Sequence, residues 1–248
     1  MTSNHFFISK ARARGDVFVL DGREHHHLST VLRARPGDEV VLFDEDGAKY
    51  AARVEEITAA ATTLACLSRT PGETRRTRII LAQALLKAKT MDFVVQKAAE
   101  LGLGEFFPVA AVRSVAKLEE KSGRKTARWE QIAREASKQS RLGLGLRIHA
   151  PRSLTAFLAD PPAAMKLVLS ENGGRLMRDL LQGSVTAVPD TSPDAVAVLV
   201  GPEGGWTPGE EETIVERGFE PVSLGRPILR AETAALSAAA LLSHFWNW

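Results

Sequence analysis

Two glycine-bearing loops and one charged pair carry the chemistry legible in this 248-residue chain. Gly201-Pro202-Glu203-Gly204-Gly205 follows an uncharged apolar run, and Gly225-Arg226-Pro227 follows the short apolar stretch that ends at Leu224. Glycines in such turns let backbone amides come close to a ligand that a side chain would hold away. Arg230 and Glu232 stand just after the second loop, a cation and a carboxylate at the mouth of an Ala-rich segment. A single glycine turn is usually only a turn, so the surrounding pattern decides. Nucleotide loops fit poorly: no Lys-Ser or Lys-Thr follows the glycines as a P-loop requires, and no G-x-G-x-x-G follows a strand.

The elements around these loops are of the kind that positions a site. The run 195–200 is β-branched and uncharged, which reads as a strand buried on both faces. Thr207 reads as a helix N-cap, with Pro208 at the first helical position, Glu210 closing a capping box, and Arg217-Gly218 as the stop. A second strand over 221–224 and a helix over 231–245 complete the unit. Strand, loop, helix, repeated, describes an α/β site whose ligand lies where loops leave the sheet. Upstream, 79–86 reads as a buried strand. Thr90 reads as the N-cap of a helix over 91–101 with Phe93, Val94, Lys97, Ala98 and Leu101 on one face. A helix over 124–139 is expected to bury Ala127, Ile132 and Ala136, with Trp129 at its edge. A helix over 154–158 and a strand over 166–169 lead to another glycine loop, 170–174, and 183–194 reads as a surface connection.

Residues 1–72 form a separate β-rich domain in this reading, and 73–248 the second. Strands over 17–20, 40–43, 49–57 and 62–67 are joined by turn signals such as Asp21-Gly22 and Pro36-Gly37, at the spacing of a small barrel. Lys10, Arg12 and Arg14 form a basic arm suited to phosphate or simply to water. Between Arg113 and Arg141 cations outnumber carboxylates, again suiting either an RNA backbone or a solvated face. His25-His26-His27 does not make a metal site, since adjacent side chains diverge and no Cys or carboxylate pattern completes one. A short helix over 26–33, with Leu28, Val31 and Leu32 facing the barrel, accounts for it. No metal is expected.

Composition sets the class: 44% hydrophobic, 25% charged and a net charge of +2 describe an ordinary globular chain, not a disordered or collagen-like one. The start lacks the apolar segment of a secretory signal, and no run approaches the roughly 20 apolar residues that span a bilayer. The single cysteine, Cys66, cannot form an internal disulfide and reads as a core residue. A cytoplasmic protein without membrane contact is expected.

The combination LVGPEGG, then LG, then ILRAETAAL at the C-terminus resembles the RsmE family of SPOUT methyltransferases, and LLKAKTMDFVVQKAAELGLGEFFPV is a second match. HFF and HHLSTVLRARPGDEV match the texture of that family's N-terminal domain. The resemblance implies an α/β fold: a SPOUT-type methyltransferase domain knotted as a trefoil, preceded by a small PUA-like β-barrel that binds RNA. It implies S-adenosylmethionine as cofactor, methylation of N3 of a uridine in small-subunit (16S) ribosomal RNA, and a homodimer. The apolar end, Leu241, Leu242, Phe245, Trp246 and Trp248, suits such an interface.

On this resemblance the cofactor site comprises Ser170, Glu171, Val200, Gly201, Pro202, Glu203, Gly204, Leu224, Gly225, Ile228 and Leu229. Lys10, Arg12, Arg14, Lys87, Lys89, Arg113, Lys138 and Arg141 are the RNA-binding candidates, with Gln96 a further polar neighbour. Uridine N3 is a poor nucleophile until its proton leaves, so the site needs a proton acceptor and a cation where charge builds on the carbonyl oxygens. Arg230 suits the second task. Glu232 either accepts the proton or fixes Arg230, and a carboxylate at a helix N-terminus is also favourable without any catalytic role. The chain departs from the family pattern at Ala231, where Thr is usual, at Lys138, often acidic, and at Leu142, often Arg. Methylation of a ribose hydroxyl or of transfer RNA, and an idle RNA-binding protein that kept the fold, are the alternatives; the ILRAET wording and the intact glycine loops disfavour them.

Overall fold

The computed structural model describes residues 5–9, 13–44, 47–72, 77–116, 123–140, 145–163, 165–186 and 193–247, with side chains omitted at 13, 14 and 183–186. The chain divides into two compact units, Met1–Thr74 with Arg134–Gly145, and Arg75–Ala133 with Leu146–Trp248.

The first unit is built on a six-stranded sheet of β1 (His5–Phe7), β2 (Ala13–Arg14), β3 (Val17–Asp21), β4 (Glu39–Phe43), β5 (Lys49–Ile57) and β6 (Ala61–Thr70). Its order is β1-β4-β5-β6-β3-β2, antiparallel except for the parallel pair β1–β4. Alternation along these strands sends Phe6, Phe18, Leu20, Leu42, Val54 and Leu64 into one cluster. Helix α1 (Gly22–His26) runs into a π-helical turn, His27–Val31, so the helix starts earlier than the hydrophobic pattern suggested. Leu28 joins the core as expected, but Val31 faces outward. His25 is buried and bonded to Thr62 Oγ1 at 2.8 Å, which accounts for one member of the histidine triplet. Cys66 is only half-buried at the edge of this core.

The second unit holds an eight-stranded parallel sheet. Its elements in chain order are β7 (Arg78–Ala84), α2 (Ala88–Glu100), β8 (Glu105–Ala110), α3 (Gly123–Ser140, of which the residues from Arg134 on belong to the first unit), β9 (Arg147–Ile148), β10 (Arg152–Ser153), α4 (Leu154–Ala159) and β11 (Met165–Leu169). Then come β12 (Arg175–Leu176), α5 (Met177–Thr186), β13 (Ala195–Val200), α6 (Pro208–Glu216), β14 (Glu220–Ser223) and α7 (Ala231–Asn247). The sheet runs β10-β8-β7-β13-β11-β14-β12, with β9 also on β8. β13 lies at the centre and every one of its residues is buried, as an uncharged β-branched run requires. Ile80, Ala82, Phe107, Leu199, Phe157, Ile214 and Phe219 fill one face of the sheet. The last residues of α7 return to the start of β7. Asn247 accepts from Thr77 N–H at 3.0 Å and donates to Thr77 C=O at 2.9 Å.

Several sequence expectations move. Lys87, not Thr90, is the N-cap of α2, because Lys87 is extended and Ala88 and Lys89 already take helical conformation. The buried face of α2 is Met91, Val94, Val95, Ala98 and Ala99, which leaves Phe93 45% exposed with Lys97 Nζ above its ring. In α3, Trp129, Ala133 and Ala136 are buried and Ala127 is exposed. α5 occupies part of the stretch taken for a loop. Leu242 and Trp246 belong to the core, so only part of the apolar C-terminus faces outward. No helix among the described residues is long and apolar enough to cross a membrane.

Candidate active site

Because all strands of the second sheet are parallel, the loops that leave their carboxyl ends gather at one edge. There they enclose a cavity of about 390 Å³ within the second unit. Three loops supply most of its wall: 170–172 after β11, 201–206 after β13, and 223–230 between β14 and α7. Arg113, just past β8, closes one side. All the residues expected in the cofactor site line this one cavity: Ser170, Glu171, Val200, Gly201, Pro202, Glu203, Gly204, Leu224, Gly225, Ile228 and Leu229.

Each wall has a local cause. Loop 201–206 closes through a bond from Gly205 N–H to Pro202 C=O at 2.9 Å, with Gly205 at φ +67, a left-handed conformation that suits glycine. The full capping box of α6 then fixes its exit: Thr207 Oγ1 accepts from Glu210 N–H at 3.3 Å, and Glu210 Oε2 accepts from Thr207 N–H at 2.9 Å. Gly174 sets the approach of the 170–174 loop to β14, since a Cβ there would lie 2.5 Å from the Pro221 carbonyl oxygen. Under the cavity, Gln83 at the end of β7 pairs in register with Val200. Its Nε2 donates to Ala84 C=O at 3.1 Å and to Gly201 C=O at 3.3 Å, while its buried Oε1 has no partner among the described residues.

Arg230 lines the cavity and is exposed, and its carbonyl caps α7 by accepting from Ala234 N–H at 2.8 Å. Glu232 lies in the first turn of α7 but outside the cavity lining. Arg113 donates through Nη1 to the carbonyls of Gly204 and Trp206, both at 3.0 Å. Ile228, at 80% exposure, stands at the mouth and not in a closed slot. Asn172, Gly205 and Arg226 line the cavity as members of the expected loops, whereas Trp206, Glu211, Ser223 and Ala234 line it and were not anticipated. Strand-end position could have flagged Ser223, and Trp206 directly follows the glycine turn; Glu211 reaches the site through tertiary packing.

The basic candidates separate. Lys87 and Lys89 are exposed at the start of α2. Lys138 departs from the expected phosphate contact: it is only 8% exposed and forms ion pairs with Glu24 and with Glu135, the latter at 3.2 Å. An ammonium buried between two carboxylates is neutralised where it stands. On α3, Arg128 is paired with Asp92. Arg14 lies in β2; Lys10, Arg12, Arg141 and Leu142 fall outside the described residues.

The cavity can accept S-adenosylmethionine. Its size is that of an ordinary cofactor pocket. Main-chain groups of three loops and the aliphatic side chains of Val200, Leu224 and Leu229 suit an adenosine, and Glu171, Glu203 and Glu211 supply carboxylates for a cation. At Gly201 a Cβ would meet the Trp206 ring at 3.2 Å, so a larger residue there would have to push the ring aside by a few tenths of an ångström.

Comparison with known proteins agrees with this geometry. A family model described as RNA methyltransferase domain matches residues 73–243, and one described as RNA methyltransferase PUA domain matches 20–60. The chain is 30% identical to ribosomal RNA small subunit methyltransferase E of Bacillus subtilis, over 92% of this chain and 90% of that one. A methyltransferase of Legionella pneumophila solved with bound SAM superposes with a TM-score of 0.85 at 28% identity, covering 98% of both chains. Ribosomal RNA small subunit methyltransferase E of Neisseria gonorrhoeae, bound to S-adenosyl methionine, gives a TM-score of 0.84 at 29% identity, with 98% of both chains covered. With a family model spanning most of its length and a full-length relative at this identity, the chain belongs to the RNA methyltransferases of the ribosomal RNA small subunit methyltransferase E family.

Proposed function

We propose that this protein methylates N3 of a uridine in small-subunit (16S) ribosomal RNA, with S-adenosylmethionine as donor. The observation that carries the reading is that loops 170–172, 201–206 and 223–230 meet in one cavity, with Arg230 on its wall. When bound, S-adenosylmethionine supplies an electrophilic methyl group on a cationic sulfur. Ser170, Gly201 and Leu224, with their loop neighbours, hold it through backbone groups and aliphatic contacts. Arg230 places a permanent positive charge at the rim, where the carbonyl oxygens of a deprotonating uracil gather negative charge. Glu232, two residues further on in the first turn of α7, receives the proton through water or orients Arg230. Trp206 and the aliphatic walls limit water.

Residues 73–248 form the catalytic domain in this reading and 1–72 a PUA-like RNA-binding domain, with Lys10, Arg12, Arg14, Lys87, Lys89 and Arg141 meeting phosphates. The catalytic domain carries a trefoil knot and acts as a homodimer in the cytoplasm without a metal. Exposed Phe93 and Leu241, on helices that pack together, support the dimer. Mass spectrometry of ribosomal RNA nucleosides from cells with and without the gene tests the function. Loss of 3-methyluridine from the small-subunit RNA is expected; unchanged 3-methyluridine would overturn it.

A further inference from the structure

We propose that Arg113 is a positioning residue of the cofactor site, holding the turn 203–206 in place, and not an RNA-phosphate contact. The proposal rests on the reading of the cavity as the S-adenosylmethionine site.

The geometry begins with unpaired carbonyls. A tight turn after a central strand turns carbonyls away from the ladder, and each then pairs with a side chain or with water. Arg113 Nη1 serves two of them, reaching Gly204 C=O and Trp206 C=O at 3.0 Å. The arginine stem lies along the turn, since a Cβ on Gly204 would be in ordinary contact with it, 3.4 Å from Arg113 Cβ and 3.6 Å from Cδ. The neighbouring residue adds a second tie, since Val112 N–H donates to Glu210 Oε1 at 2.8 Å. Their own backbone is fixed in turn. Ala111 N–H donates to Ser114 Oγ at 3.0 Å, and Ser114 N–H to Ala111 C=O at 3.1 Å.

Residues 112 and 113 therefore hold the later half of the loop, at Gly204 and Trp206, and the first turn of α6 that follows it. A guanidinium suits this task, because it stays charged and its fork keeps a fixed geometry. Holding the turn in its binding shape before the ligand arrives removes part of the ordering cost of binding. Arg113 lies at a strand end in the basic stretch, so by charge alone it looks like a phosphate contact. Its Nη1 hydrogen bonds run to the loop instead.

The test uses the full-length protein and two ligands. Calorimetric titration with S-adenosylmethionine is run on wild type, Arg113→Ala, Arg113→Met and Arg113→Lys. Methionine keeps the stem against Gly204 and removes the donors, which separates packing from hydrogen bonding. Both Ala and Met are expected to weaken cofactor binding about tenfold, and Lys to stay within about threefold of wild type. In turnover assays the KM for cofactor should rise while kcat at saturating cofactor stays near wild type. RNA affinity across a salt series should keep its slope, whereas loss of a phosphate contact would reduce the slope by about one. Unchanged cofactor affinity in Ala and Met, or a reduced salt slope, would overturn the assignment. A wild-type protein that does not bind S-adenosylmethionine would overturn the functional reading as well.

Discussion

Replacing Gln83 by leucine should separate cofactor affinity from stability. Gln83 is fully buried, and its carboxamide is only half satisfied: Nε2 serves two carbonyls, while Oε1 has no partner among the described residues. A buried unpaired acceptor costs about 1–3 kcal/mol, and each donor bond returns about 0.5–1.5 kcal/mol net. Leucine has similar volume, removes the unpaired oxygen and strips Ala84 and Gly201 of one donor each. The two changes nearly cancel, so unfolding free energy should stay within about 1 kcal/mol of wild type. Gly201, however, loses the side-chain bond that extends the β7–β13 ladder by one step beyond Val200. With about 1 kcal/mol less holding the loop, S-adenosylmethionine should bind about fivefold more weakly. Glutamate at the same position would put an acceptor against two carbonyls and should destabilise by several kcal/mol. Urea unfolding with an unchanged m-value gives the first quantity and calorimetric titration the second. A loss above about 3 kcal/mol in Gln83→Leu would mean that Oε1 is satisfied in solution, and unchanged cofactor affinity would show that Gly201 does not depend on Gln83.

Further outcomes follow from the same contacts. Arg230→Ala should lower turnover about 10²–10³-fold with cofactor affinity near wild type; normal turnover would reduce it to a structural residue. Asn247→Ala leaves both backbone groups of buried Thr77 without their partner and should cost about 2–4 kcal/mol, read as a lowered urea midpoint. His149 lies against Phe107 and Glu105, and burial holds its pKa below the usual value, outweighing the opposing pull of Glu105. The unfolded chain therefore takes up this proton below about pH 6.5 before the folded one does. That contribution to stability is present above this pH and lost as pH falls through the folded pKa; His149→Gln should flatten this limb of the stability–pH curve.

Much of the site was legible because its signals are local. The capping box at Thr207, the uncharged run that becomes β13 and the stop at Gly218 each depend on residues within one or two turns, and each is present. What was not legible depends on distant partners. Lys138 looked like a free cation until Glu24, more than a hundred residues earlier, was found beside it. Phe93 looked buried because its neighbours are apolar, yet the helix turns Val94 and Val95 inward and leaves it out. The start of α2 shifted because Thr90 has a good capping side chain, while Lys87 has the extended backbone. Arg113 and Gln83 acquire meaning only when loop 201–206 is brought beside them.

That last dependence explains why the cavity needs so few conspicuous residues. In a parallel sheet the carboxyl ends of neighbouring strands finish at the same edge, and register decides which loop residues meet. Val200 stands beside Gln83, Leu199 beside Val168, and Leu169 beside Val222. Loops that begin one residue beyond these pairs are adjacent whatever their own sequence. Their side chains can vary wherever they face the cavity mouth, as exposed Ile228 does. The constrained positions are those where the backbone must turn or touch: Gly174 against Pro221, Gly201 against Trp206, Gly205 in its left-handed turn. The GPEGG signal is therefore a record of backbone geometry more than of side-chain chemistry. The chemistry is left to the few charged groups that the sheet edge brings within reach, Arg230 foremost.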